Sequence, residues 1–248
     1  MDLVLVDQPV EFLFLSLRWI HFLAGVVWIG LLYYFNFVQV PFFAETEAPV
    51  RSGAIVKLVP RALWWFRWGA MFTFLSGSSY LLLFLWKRGG TGLLSTSWGI
   101  AIQIGALLGT IMFLNVWLVI WPNQKIVIAN TEAVAAGKEA NPAAAAAGAR
   151  AFLASRTNVV FSIPMLFFMG SASHIAYFGG QAEKPGVWSN VGAVVALMAL
   201  FELNALFGKK GAGFAKVLEK HVSVIHVGVV LALIFYFIVD LIPGQPGG

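Results

Sequence analysis

The chain has 248 residues, 60% of them apolar and 11% charged, with a net charge of +5 and a mean hydropathy of +0.84. That composition excludes an ordinary soluble domain, and the basic residues lie in loops beside apolar runs rather than along a soluble basic stripe, which argues against a nucleic-acid partner. Cys is absent, which removes disulfides, thiolate metal sites, iron–sulfur clusters and covalent C-x-x-C-H haem attachment.

Six apolar runs follow in chain order, and they predict an all-α polytopic transmembrane bundle in a single domain covering 1–248. The expected spans are Phe12–Val40, Phe66–Trp86, Trp98–Trp121, Asn158–Phe178, Val187–Phe207 and Val222–Leu241. Each has about 20 residues or more, enough at ~1.5 Å per residue for a ~30 Å hydrocarbon core. Asp2, Asp7 and Glu11 precede the first run. A secretory signal carries positive charge there, so this run reads as a retained helix. The first, third and fifth loops carry twelve of the 16 Lys and Arg residues. By the positive-inside rule those loops face the cytoplasm, which places both termini in the periplasm and the chain in a bacterial inner membrane. The long third loop, about 122–157, is Ala-rich with a turn at Asn141-Pro142. It reads as two short helices lying on or below the cytoplasmic surface. Gly105-x-x-x-Gly109 permits close helix contact. The tail from Pro243 to Gly248 reads as a flexible linker.

Histidine within lipid is expensive and needs a reason. The first span runs outward to inward and the fourth inward to outward, so His21 and His174 fall at similar depth near the outer face. Two imidazoles at one level on different helices suit bis-imidazole ligation of a haem b. Another metal, or a hydrogen bond to a neighbouring helix, uses the same residues. His226 lies one and a half turns into the sixth span, and His221 marks its entrance. Glu202 sits at an inner depth similar to that of His226, so a Glu–His acid–base couple is geometrically available. Structural hydrogen bonding accounts for both as well. Asn115, Asn123, Gln124, Arg156, Asn158 and Asn204 lie near the inner ends of their spans. They form a candidate substrate pocket in which amides bond a planar ligand and Arg holds an anion. Helix capping and interhelical bonding are the competing explanation. Trp28, in mid-span, is a candidate to pack on a cofactor or in the core.

The segments His21-Phe-Leu-Ala-Gly-Val-Val-Trp28-Ile-Gly30, Asn115-Val-Trp-Leu-Val-Ile-Trp-Pro-Asn-Gln124-Lys125, Ser155-Arg-Thr-Asn158 and Ser162-Ile-Pro-Met165, with Glu202-x-Asn204 and the His221 region, resemble the membrane domain of the cytochrome c-linked urate oxidases (urate hydroxylases). The resemblance implies oxidation of urate towards 5-hydroxyisourate, with electrons passed to a c-type cytochrome rather than to O₂. Family members carry that cytochrome as a C-terminal domain. Without Cys the chain cannot hold a c-haem, which leaves two readings: a separate c-type cytochrome docks at the outer face, or this member does something other than urate oxidation.

The leading expectation is therefore a membrane oxidoreductase of the urate oxidase type. His21 and His174 would ligate haem b, His226 and Glu202 would do acid–base work, and the amides with Arg156 would hold substrate. Two alternatives stand beside it. One is a non-catalytic cytochrome b-type anchor that relays electrons in a larger respiratory complex. The other is a transporter or scaffold subunit without a redox centre.

Overall fold

A computed structural model describes residues 8–177 and 187–241. Every regular element among them is helical. Six helices are long and apolar enough to cross a membrane. In chain order they are α1 (Gln8–Glu45), α3 (Val59–Arg88), α4 (Ser97–Ala135), α5 (Ala144–Ser171), α6 (Val187–Phe207) and α7 (His221–Asp240). Between the first two lies the short α2 (Ala48–Lys57). A 3₁₀ segment, Gly213–Glu219, precedes α7. The linker tail and the outer end of the fourth span at Phe178 lie outside the described residues.

The centre of the bundle is α5. Residues 156–162 are buried without interruption. A helix buried on every side is a core helix. It packs on α4, α6, α7 and the inner part of α1, while α1 otherwise lies along α3. The N-terminal half of α1 presents Phe12, Leu15, Trp19, Phe22 and Val26 away from the bundle, the expected character of a lipid-facing rim helix.

Pro164 shapes the α5–α7 contact. Proline has no N–H to give the carbonyl four residues back, which is Val160 O. Gly228 of α7 comes against that carbonyl: a Cβ on Gly228 would stand 3.1 Å from Val160 O and 2.5 Å from Ile163 Cδ1. The Gly105–Gly109 pair works in the same way between α4 and α5, with Met169 and Met165 filling the space.

Three membrane-length helices contain a widened π turn shortly before a proline in the sequence, the last being Phe237–Leu241 at the end of α7. Tyr34–Gln39 precedes Pro41 in α1, and Asn115–Ile120 precedes Pro122 in α4. The extra residue of a π turn accommodates a ring that would otherwise clash with the preceding turn. Consequently α4 does not stop at Trp121 but continues to Ala135. This corrects the expectation of two short surface helices in 122–157. The stretch instead forms the inward arms of α4 and α5, joined by a turn at 136–143. Gly137 (φ +72°) makes that turn. Asn130 closes it by accepting the Asn141 N–H at 2.7 Å. The alanines that suggested separate helices are strong helix formers, and they extend α5 instead.

Candidate functional site

At the Lys/Arg-rich end, the π turns bring two buried amides onto one stretch of α5. Asn36 donates from Nδ2 to Leu32 O and to Ser155 Oγ, each at 2.8 Å. Asn115, at the start of the other π turn, donates to Asn158 Oδ1 at 2.9 Å and to Glu202 Oε2 at 3.0 Å. Asn158 in turn donates to Met112 O at 3.0 Å. Asn115 and Asn158 are 2% and 0% exposed. The result is an amide–carboxylate cluster centred on Asn115 that joins α4, α5 and α6, with Glu202 Oε1 left without a bond from a described residue.

Arg156 is 1% exposed, yet of its guanidinium nitrogens only Nη2 has an acceptor, Glu219 O at 3.3 Å. Nε and Nη1 are buried with no partner among the described residues. The Phe152 ring lies 5.0 Å from Arg156 Cζ and 4.5 Å from Lys210 Nζ. Thr157 Oγ1 and Asn204 Nδ2 are also buried and unpartnered.

The expected single inner pocket therefore separates into two sites. Arg156 and Asn158 are two residues apart, and ~200° of helical turn places them on opposite sides of α5. Asn158 meets α4 at Asn115 and Met112, while Arg156 faces the 3₁₀ segment before α7. Asn123 bonds Val119 O of its own helix at 2.7 Å, and Gln124 has no bond to a described residue. Both belong to the α4 arm and join neither cluster.

The expected Glu202–His226 couple does not form among the described residues. Glu202 bonds Asn115. His226 is exposed on α7, because Gly228 two residues on faces α5 and ~200° of rotation turns His226 away. His221 is exposed at the α7 entrance, its ring 6.4 Å from that of Phe37.

At the opposite end, His21 Nδ1 donates to Thr73 O of α3 at 2.9 Å. Gly77 makes room for the ring: a Cβ there would stand 2.7 Å from His21 Cε1. His174 lies exposed in the turn after α5, with Nδ1 donating to Gly170 O at 3.1 Å. Tyr33 and Ser162 hydroxyls meet at 2.9 Å between α1 and α5, and each histidine lies twelve residues from that contact along the chain, His174 in the turn beyond the end of α5 at Ser171. Both rings direct Nδ1–H to a backbone carbonyl and leave Nε2 unbonded, which is the donor chemistry that suits an imidazole-ligated haem. No contact among the described residues joins the two rings. Trp28 is 2% exposed, and its indole N–H has no partner.

Sequence reasoning missed the orphaned Thr157 hydroxyl and the π turns themselves. The signal for the latter was present: a buried amide a few residues before a proline in both α1 and α4.

Six membrane-length helices, one of them a central helix with a polar core and a buried guanidinium short of acceptors among the described residues, define a polytopic membrane protein. Comparison with known families gives the particular group. The urate oxidase N-terminal family model matches residues 93–239, well over half of the chain. The chain belongs to this family, and it is a urate-related membrane protein of the oxidoreductase type. No curated protein and no solved structure matches it. The matched region contains Asn115, Arg156, Asn158, His174 and Glu202, whereas His21 lies before it.

Proposed function

We propose that the protein oxidises urate within the membrane and passes the electrons to a c-type cytochrome at the periplasmic end. The observation that carries this reading is Arg156. A guanidinium 1% exposed, with Nε and Nη1 unbonded, is a buried cation short of acceptors. Such a group is costly unless an anion completes it. The urate monoanion is planar and offers adjacent acceptors that fit a two-pronged arginine. Phe152, already against Arg156, supplies an apolar wall beside it.

Oxidation to 5-hydroxyisourate adds the oxygen of one water and releases two electrons and two protons. Glu202, bonded to Asn115 on the other side of α5 from Arg156, belongs to the separate amide–carboxylate site and takes no proton from a urate held at Arg156. Haem b held by His21 and His174 would supply one-electron storage near the outer face. The inner membrane of a bacterium, with the Lys/Arg-rich end in the cytoplasm, provides the orientation.

Purified protein mixed with urate and an oxidised c-type cytochrome tests the reading. Urate-dependent cytochrome reduction, cut at least tenfold in Arg156→Ala and not restored by Arg156→Lys, is the expected result. A reduced-minus-oxidised spectrum free of b-haem bands removes the haem. A protein that carries haem but never responds to urate is a cytochrome b-type anchor instead.

A further inference from the structure

A second cationic site lies between α3 and α4, on the lipid side of the bundle and separate from the proposed urate site. Arg67 of α3 places its guanidinium carbon 3.9 Å from the centroid of Trp121 and 5.8 Å from that of Trp117. Lys125, one turn beyond Trp121, brings its ammonium within 5.6 Å of the same Trp121 ring. Trp68 packs edge-on against Trp117 at 5.7 Å, and Trp64 follows at 6.2 Å from Trp68.

Two cations thus gather on one indole, and neither makes a hydrogen bond or ion pair with a described residue. Arg67 Nε and Trp117 Nε1 are both buried N–H donors with no acceptor. Donors and positive charge converge here with nothing negative to receive them. The position indicates what does. Arg67 falls in the first turn of the apolar part of α3, and Trp121 at the last apolar residue of α4 before Pro122. That level is the boundary between hydrocarbon and headgroups, where tryptophan settles. Trp64 is 46% exposed and Leu118, next to Trp117, 68%. The site therefore opens to the surrounding lipid. It is also remote from Asn115, which lies two residues before Trp117 and faces α5.

We propose that the terminal guanidinium nitrogens of Arg67 and the exposed Lys125 bind the phosphodiester of an acidic phospholipid headgroup in the leaflet at the Lys/Arg-rich end. The guanidinium stacks on Trp121 and keeps its N–H edge for the phosphate. Lys125 adds a second charge from the rim, and Trp64 and Trp68 flank the glycerol region. Basic clefts between transmembrane helices on this side suit such headgroups.

The test uses the whole protein in detergent, with its melting temperature followed on adding phosphatidylglycerol, phosphatidylcholine or inorganic phosphate. Phosphatidylglycerol raising the wild-type melting temperature more than phosphatidylcholine, with the excess lost in Arg67→Gln and reduced in Lys125→Gln, is the expected pattern. Inorganic phosphate then has no effect. Native mass spectrometry reads the same site as one fewer retained phosphatidylglycerol in each variant. Lys125 is exposed, so Lys125→Gln carries the decision if Arg67→Gln does not fold. An excess that persists in the variants, or equal stabilisation by phosphatidylcholine, shows that the cations are satisfied by the indoles alone. Stabilisation by inorganic phosphate overturns the lipid assignment.

Discussion

At the scale of single residues, the decisive feature is which polar groups have partners. Asn158 sits at the junction of two bonds, receiving from Asn115 and giving to Met112 O. Its replacement by Ala leaves buried groups on both sides unsatisfied, and each such group costs about 1–3 kcal/mol. Thermal unfolding of Asn158→Ala in detergent should show a lower midpoint than wild type, whereas Asn123→Ala, whose amide only returns to its own helix, should not. Arg156 calls for a binding measurement instead. Hydrogen bonds to a charged group contribute ~1.5–3 kcal/mol, so Arg156→Ala should weaken urate roughly 10- to 100-fold while a neutral purine is unaffected. Equal loss for both ligands would point to collapse of the region rather than loss of a charge. Outside the spans, burial raises the Tyr177 hydroxyl above its usual value of 10.0, with Asp240 adding to the rise and the Ser171 bond opposing it. A tyrosine raised in the folded state stabilises the fold below its unfolded pKa. That contribution is lost as pH climbs through the folded value. Tyr177→Phe should therefore flatten the alkaline fall in stability.

Elements add a second kind of control, through where backbones can approach and where a helix widens. Gly228 lies against Val160 O, a backbone atom that cannot swing away. Gly228→Ala should cost about 1–3 kcal/mol by forcing α7 off α5. The π turns lend themselves to a sharper experiment. A π turn is an α-helix with one residue added. Deleting Leu118, which is 68% exposed, should let α4 close into a regular helix and still fold. The same deletion at Val159, inside the buried stretch of α5, should abolish folded yield on size exclusion. If the Leu118 deletion also fails, the widened turn is required for the fold and not only for aiming Asn115.

For the whole molecule, the open quantity is direction in the membrane. Six crossings place both ends of the described bundle on one side, and the basic loops on the other. The absence of Cys makes this simple to read. Thr91→Cys should react with an impermeant maleimide on intact cells, and Lys138→Cys only after permeabilisation. The reverse result would invert the orientation and move the proposed cytochrome docking end with it.

The apolar runs determined the class of fold and the number of crossings, because hydrocarbon forces every backbone group into helical bonds wherever a run is long enough. What the sequence left open was rotation about each helix axis, together with helix ends. Arg156 and Asn158 read as neighbours in one pocket, yet ~200° of helical turn sets them on opposite faces of α5, and packing decided which neighbour each face met. Glu202 shared a depth with His226, but Asn115 took its carboxylate and Gly228 turned the histidine outward. The third loop looked like surface helices until two π turns let α1 and α4 run through their prolines. Depth is set by counting along one chain, whereas facing is set by which neighbours press on which side, and only the assembled bundle supplies those neighbours.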